Sequence, residues 1–194
     1  IQASLKPVIP VLHSRRECLQ INADQGTDEQ GAGQWPPFLL QSLFMQNIRE
    51  FMAGDHRHCD EFFTDAEKAV ATQAWDEALS SFEQFQKATL QHFATEEELL
   101  FPAFEEKTGM RMGPTQVMRG EHIQMRELMQ AARSALVAKD ADDFSGYGET
   151  LLIMMQQHNT KEENVLYPMC DQQLRAQLTD LLPQLKARIQ APNQ

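Results

Sequence analysis

Apolar residues recur at intervals of three and four along most of the chain, a spacing that predicts helices. Four helices are expected, over about residues 38–65 and 75–104, from Pro114 through Leu136, and over about residues 150–167. Their short connections favour an all-α fold, an up-down-up-down antiparallel four-helix bundle. The predicted inward positions are Met45, Met52, His56, Cys59, Phe63, Phe85, Ala88, His92, Glu96, Leu99, Leu100, Met118, His122, Met125, Met129, Leu136, Leu151, Met154, Met155, His158, Glu162, Val165 and Leu166.

The segments on either side of the bundle have different patterns. Residues 1–36 read as a non-helical N-terminal arm, because prolines bracket a short apolar run and a glycine-containing polar stretch follows. Residues 37–170 form the predicted bundle, and residues 171–194 form a short C-terminal helix or tail. Pro102 and Pro168 are expected near the ends of the second and fourth helices, since proline breaks the hydrogen-bond ladder.

An internal repeat coincides with these helices. Residues 92–102, HFATEEELLFP, recur 66 positions later as residues 158–168, HNTKEENVLYP. The same shift carries His56 onto His122. The chain therefore reads as a duplicated helical pair in which four histidines are in register.

Helical geometry distinguishes the two adjacent glutamates of each repeat. A residue four places on lies about 40° around the helix axis, whereas a residue five places on lies about 140° away. Glu96 therefore shares a face with His92, and Glu162 shares a face with His158. Glu97 and Glu163 are expected at the flank of the bundle or in solvent.

Inward carboxylates require a partner, because burying an unpaired charge is costly. One inward histidine is commonly a hydrogen-bonded core residue, and one His-x3-Glu is commonly an intrahelical pair. The joint pattern instead favours two divalent ions bridged by Glu96 and Glu162, each also held by two histidines. The predicted ligands are His56, His92, Glu96, His122, His158 and Glu162. Imidazole and carboxylate suit iron, manganese, zinc or cobalt.

A few other residues near this pattern are open to more than one interpretation. Cys59 follows His56 by three places, but its counterpart is Met125, which favours a plain core role. Asp60 and Arg126 are expected either to support the site, to form a salt bridge or to lie on the surface. His13 and His58 have no counterparts in the repeat and are interpreted as non-ligands, and the methionine stripe as core packing.

Composition narrows the class of partner. A formal net charge of −11 and a pI near 4.9 argue against nucleic acid or an anionic membrane. The 194 residues contain no apolar run of membrane-spanning length and only three cysteines, without a CxxC pair. These features favour a cytoplasmic protein. The apolar part of the arm could pack on the bundle or on a second subunit, giving a homodimer.

His56, His92-x3-Glu96, His122 and His158-x3-Glu162, with the Glu-Glu-x-x-Leu-aromatic-Pro continuation, resemble the hemerythrin-type HHE cation-binding domain over about residues 37–170. The resemblance implies an oxo- or hydroxo-bridged pair of iron ions in a four-helix bundle, with manganese or zinc as less favoured metals. Oxygen-carrying hemerythrins have a fifth histidine where this chain has Arg126, and an aspartate five places after the fourth-helix histidine. The four-His, two-Glu set is instead similar to that of bacterial proteins of iron-centre repair under nitrosative stress.

This resemblance predicts a non-haem di-iron protein with open coordination positions for O2, NO or peroxide. Its role would be redox or nitrosative sensing, or iron handling. Two alternatives stay open at this point. One is a di-iron redox enzyme that reduces peroxide or NO, and the other is a metal-free helical interaction module.

Overall fold

The computed structural model describes residues 47–191, and all regular structure in that range is helical. The predicted arm, the first residues of the first helix, His13, Cys18 and Met45 lie outside the described residues. None of the helices between residues 47 and 191 combines the length and the hydropathy that a membrane span requires. The helical segments are α1 (Ile48–Ala71), α2 (Trp75–Thr95), π1 (Glu96–Leu100), α3 (Phe101–Thr108), α4 (Pro114–Ala138), α5 (Ala141–Lys161), π2 (Glu162–Leu166), α6 (Tyr167–Gln173) and α7 (Leu178–Gln190).

These segments form four long helices and a shorter fifth. The second long helix runs through α2, π1 and α3, and the fourth runs through α5, π2 and α6. The connections are residues 72–74, 109–113 and 139–140, and such short connections make consecutive helices antiparallel neighbours. The strongest packing is between α1 and α2 and between α4 and α5. The predicted all-α antiparallel bundle is confirmed.

Local side-chain contacts determine where several helices begin and end. The Asn47 side chain accepts a hydrogen bond from the N–H of Glu50, and that of Asp140 accepts one from Asp143. The Asp171 carboxylate accepts hydrogen bonds from the first N–H groups of α1, which ties the fourth helix to the first. Gly109 ends α3 in the left-handed conformation at φ 73°.

Two predictions about helix ends were wrong. The second and fourth helices do not end near Pro102 and Pro168, because a π-helical turn precedes each proline and the helix then continues to Thr108 and to Gln173. In these turns the N–H of Phe101 donates to the carbonyl of Glu96, five residues back, and Tyr167 does the same with Glu162. The turn widens the backbone at the point where a proline ring would otherwise clash.

Two apolar clusters fill the bundle, and most of the predicted histidines and glutamates lie between members of the two clusters along their helix. In α1, for example, Met52 belongs to one cluster and Cys59 to the other, with His56 between them. The inward prediction was wrong for Val165, whose side chain is 53% exposed. It lies within π2, where the helical register shifts. Helix α7 closes one end of the bundle with buried Leu181, Leu182 and Leu185.

Candidate metal centre

Four histidines meet in two pairs at the centre of the bundle. His56 and His92 place their Nε2 atoms 3.0 Å apart, and His122 and His158 place theirs 3.2 Å apart. All four side chains are buried. Each pair joins two neighbouring helices, so the 66-residue repeat in the sequence becomes two similar halves of one site.

The two predicted glutamates lie between these pairs and are fully buried. Glu96 Oε2 is 3.3 Å from His122 Nε2, and Glu162 places Oε1 3.1 Å from His158 Nε2 and Oε2 3.3 Å from His56 Nε2. Glu96 Oε2 and Glu162 Oε1 have no hydrogen-bond partner within the described residues. All six residues predicted from the sequence therefore meet in one buried cluster.

A carboxylate holds the outer nitrogen of every histidine. The Nδ1 atoms lie 2.7–2.9 Å from their partners. A neutral imidazole has one N–H, so in the neutral form these contacts place the proton on Nδ1 and leave the lone pair of Nε2 facing inward. The partners are Glu163 for His56, Asp55 for His92, Glu97 for His122 and Glu121 for His158.

These four carboxylates also follow the repeat. Asp55 and Glu121 each precede a histidine and contact the histidine of the next helix, whereas Glu97 and Glu163 each follow a predicted ligand. Lys161 forms a salt bridge with the far side of Glu121. Sequence reasoning did not identify Asp55 and Glu121, although their identical positions before His56 and His122 are a signal that could have found them.

The prediction that Glu97 and Glu163 lie at the flank or in solvent missed their role. Their side chains are only 25% and 33% exposed, and each binds a histidine of an adjacent helix. Arg126 donates two hydrogen bonds to Glu97, at 2.9 and 3.1 Å, so its salt bridge supports His122 indirectly. Of the three roles that the sequence left open for Arg126, the structure shows the salt bridge, and its partner is Glu97.

The electrostatics of the site follow from this arrangement. Burial alone would lower the pKa of His56, but the negative charges of the adjacent Glu162 and Glu163 carboxylates outweigh that cost and raise the pKa to about 10. For His122, the adjacent Glu96 and Glu97 carboxylates likewise outweigh burial and raise the pKa to about 9. Burial opposes ionisation of Glu97, yet His122 and Arg126 hold the pKa of that carboxyl down at about 2.

Tyr167 is a component of the site that sequence reasoning treated only as a repeated aromatic. Its hydroxyl oxygen lies 2.8 Å from Glu96 Oε1 and 3.0 Å from Glu162 Oε2, so the two carboxylates share its one O–H donor. Burial and these carboxylates raise the pKa of Tyr167 well above its usual value. The π turn explains the placement, because it stacks a residue over the one five places earlier, here Glu162.

Neither Cys59 nor His58 belongs to the cluster. Cys59 is buried within one of the apolar clusters, and burial raises the pKa of its thiol. The His58 side chain is 41% exposed and lies 3.7 Å from Glu61. A plain core position for Cys59 and a position outside the cluster for His58 agree with the sequence analysis.

The donor set fits divalent metal ions. Two facing Nε2 lone pairs, 3.0 or 3.2 Å apart, repel each other unless a proton or a cation lies between them. The two unpartnered glutamate oxygens are each adjacent to such a pair. Two sets of residues are close enough to hold an ion, because the donor atoms within each set lie within 4.8 Å of one another. One set is Glu96, His122, His158 and Glu162, and the other is His56, His92 and Glu162.

Comparison with known proteins agrees with this chemistry. The family model described as the hemerythrin HHE cation binding domain matches residues 47–170. No curated protein and no solved structure matches the chain. Because the family model covers well over half of the sequence, the chain belongs to the hemerythrin HHE cation-binding family. It is a helical metal-binding protein of a family whose usual metal is iron, and its buried His/Glu cluster supplies the ligand groups.

Proposed function

We propose that this hemerythrin-family chain holds two iron ions, one between His56 and His92 and one between His122 and His158. Glu96 and Glu162 would be shared between the two ions. A pair of iron ions with open positions supplies reversible ligand binding and electron transfer. The function we propose is the binding of O2, NO or peroxide, in redox or nitrosative sensing or in iron handling.

The observation that carries the proposal is the pairing of inward Nε2 atoms. In each pair the outer nitrogens are already hydrogen-bonded to carboxylates, so the inner lone pairs need a shared cation. In the metal-free protein a proton serves this purpose, which is consistent with the raised pKa values of His56 and His122. A metal ion would displace that proton and also satisfy the unpartnered oxygens of Glu96 and Glu162.

The four outer carboxylates prepare the histidines for this role. A carboxylate on Nδ1 fixes the ring orientation and makes Nε2 a better donor to a metal. The chain supplies one such carboxylate to every histidine, from an adjacent helix each time. A bundle that used these histidines only for packing would not need four oriented imidazoles.

The walls of one half of the site suit a small ligand of low polarity. Phe93 stacks on His122 with ring centroids 3.8 Å apart, and Phe101 lies on the same ring at 6.0 Å. Both phenylalanines are buried. An apolar wall beside a metal position favours a diatomic molecule over a charged substrate.

The proposed location is the cytoplasm. Cys59 and Cys170 are free, buried thiols, and unpaired cysteines are typical of a reducing compartment. We also retain the proposal that the N-terminal arm could mediate a homodimer.

Metal analysis of protein purified without air tests the proposal. Wild-type protein should contain about two iron ions per chain, and His92→Ala and Glu162→Ala should each lose iron. His58→Ala is the matched control, since His58 lies outside the cluster. Near-zero transition metal in the wild type would overturn the proposal.

Spectroscopy then distinguishes iron from zinc, and kinetics distinguish a binding or sensing protein from a redox enzyme. A ferric absorption band that develops in air would identify iron rather than zinc. A single stoichiometric reaction with peroxide or NO agrees with binding or sensing. Continuous consumption of either molecule would instead identify a redox enzyme.

A further inference from the structure

The geometry points to Tyr167 as an additional metal ligand, one that serves only the half of the site that contains His56 and His92. This inference rests on the proposed dinuclear centre. It adds an oxygen donor to one metal position and none to the other.

The spacing of the donor atoms is the first observation. The Tyr167 hydroxyl lies 3.2 Å from His92 Nε2 and 3.3 Å from His56 Nε2, and these two nitrogens are 3.0 Å apart. Glu162 Oε2 lies 3.0 Å from the hydroxyl and 3.3 Å from His56 Nε2. Donor atoms about 2.0 Å from a metal in a tetrahedral arrangement are roughly 3.3 Å from one another. Five of the six distances among these four atoms, all except that between His92 Nε2 and Glu162 Oε2, therefore match those between neighbouring donor atoms around one metal ion.

The second observation is that the backbone holds the phenol in this position. Tyr167 is fully buried, and the π turn places it directly over Glu162, with its N–H bonded to the Glu162 carbonyl. Its ring stacks against that of His56 with centroids 5.8 Å apart. The hydroxyl can move only slightly relative to the histidines, so the oxygen is pre-positioned for a metal.

The third observation is the asymmetry between the two halves. The 66-residue shift relates Tyr167 to Phe101, which occupies the corresponding position after π1. Phe101 offers no donor atom and stacks on His122 instead. The two metals would therefore differ, with an oxygen donor at the His56/His92 half and an apolar ring at the His122/His158 half.

Coordination exchanges one bond for another. The O–H bond of Tyr167 breaks as an oxygen–metal bond forms, and the proton leaves to water. No electron transfer is involved, because the metal keeps its oxidation state. The hydroxyl proton that Glu96 and Glu162 share would be lost in this exchange, and the positive charge of the metal would take its place between the three oxygens.

The test uses the optical spectrum of the iron-loaded protein in the ferric state. A phenolate bound to ferric iron gives a charge-transfer absorption band in the visible region. Laser excitation into this band enhances the Raman vibrations of the phenolate ring. We expect both signals in the wild type, and we expect the ring vibrations to shift when the protein is produced with ring-deuterated tyrosine.

The chain offers a matched control, because it contains only two tyrosines. Tyr147, on α5, is 40% exposed, so Tyr147→Phe should keep the band unchanged. Tyr167→Phe should lose it while retaining about two iron ions per chain. The deuterium shift in the wild type, together with the Tyr147→Phe spectrum, identifies the ligand even if the Tyr167 variant folds poorly.

The outcomes separate this inference from the proposed function. Wild-type protein with iron but without phenolate vibrations would overturn the role of Tyr167 and leave the dinuclear centre standing. Loss of the band in Tyr147→Phe, or its survival in a folded Tyr167→Phe, would also overturn that role. Wild-type protein without iron would overturn both.

Discussion

Replacing Glu97 with glutamine tests whether the carboxylates around the histidines tune the metal centre. Glu97 accepts a hydrogen bond from His122 Nδ1 at 2.7 Å and is held on its other side by Arg126. Glutamine keeps the shape and one oxygen acceptor but removes the charge. The substitution should therefore weaken the donor strength of His122 without emptying the site.

The size of the effect follows from the contacts. A hydrogen bond to a charged group contributes about 1.5–3 kcal/mol, and loss of a carboxylate behind a metal-binding histidine typically reduces metal affinity about 10- to 100-fold. The Glu97 side chain is 25% exposed, so water partly screens it. We expect the lower end, about a tenfold loss, which equals about 1.4 kcal/mol.

The loss should affect only one metal position. Glu97 contacts His122, whereas Glu163 holds the equivalent nitrogen of His56. An anaerobic competition titration with ferrous iron and a coloured chelator should resolve two binding steps. One step should weaken in Glu97→Gln, and the other should weaken in Glu163→Gln.

Glu98→Gln is the control. Glu98 is the next residue along π1, and its 59% exposed side chain pairs with Arg188 on the surface. An exposed ion pair contributes little to stability, so both binding steps should match the wild type. Equal affinities in Glu97→Gln and the wild type would refute the reasoning that this carboxylate tunes the metal centre.

Two further predictions concern the folded protein itself. The pKa values of His56 and His122, about 10 and about 9, lie above the unfolded value of 6.5. The metal-free protein should therefore have its full stabilisation from these groups below pH 6.5 and lose it as pH rises through 9 to 10. Urea unfolding with a chelator present checks this, and a flat pH profile would contradict it. Gly146→Ala, where the new Cβ meets nothing within 4 Å, should raise the free energy of unfolding by about 0.5–1 kcal/mol. Gly148→Ala should gain less, because its Cβ would lie 3.2 Å from Phe63 Cζ, and equal gains in the same unfolding assay would contradict this.

The fold was predictable because its signals are local. Helical periodicity identified the inward face of each helix, and short connections implied antiparallel neighbours. Met52, Phe63, Met125 and Met129 are buried as expected. The helix ends were less predictable, since the π turns before Pro102 and Pro168 depend on backbone geometry that residue spacing does not express.

The ligands of the candidate site were also predictable from local signals. The duplicated histidines and glutamates, four residues apart, had to share one face of their helices. The partners of the outer nitrogens were not predictable in this way, because every one of those hydrogen bonds crosses to another helix. Asp55 and Glu121 were also difficult to single out, because the chain contains 28 acidic residues and spacing alone does not distinguish these two from the others.

The sequence by itself determined that four histidines and two glutamates point into the core, because the helical repeat acts within each helix. Only the tertiary structure decided how these residues pair and what surrounds them. Packing of adjacent helices brings the Nε2 atoms to 3.0 and 3.2 Å. The shift of register in a π turn moves Tyr167 into the site and Val165 out to solvent, which a uniform helical period cannot predict.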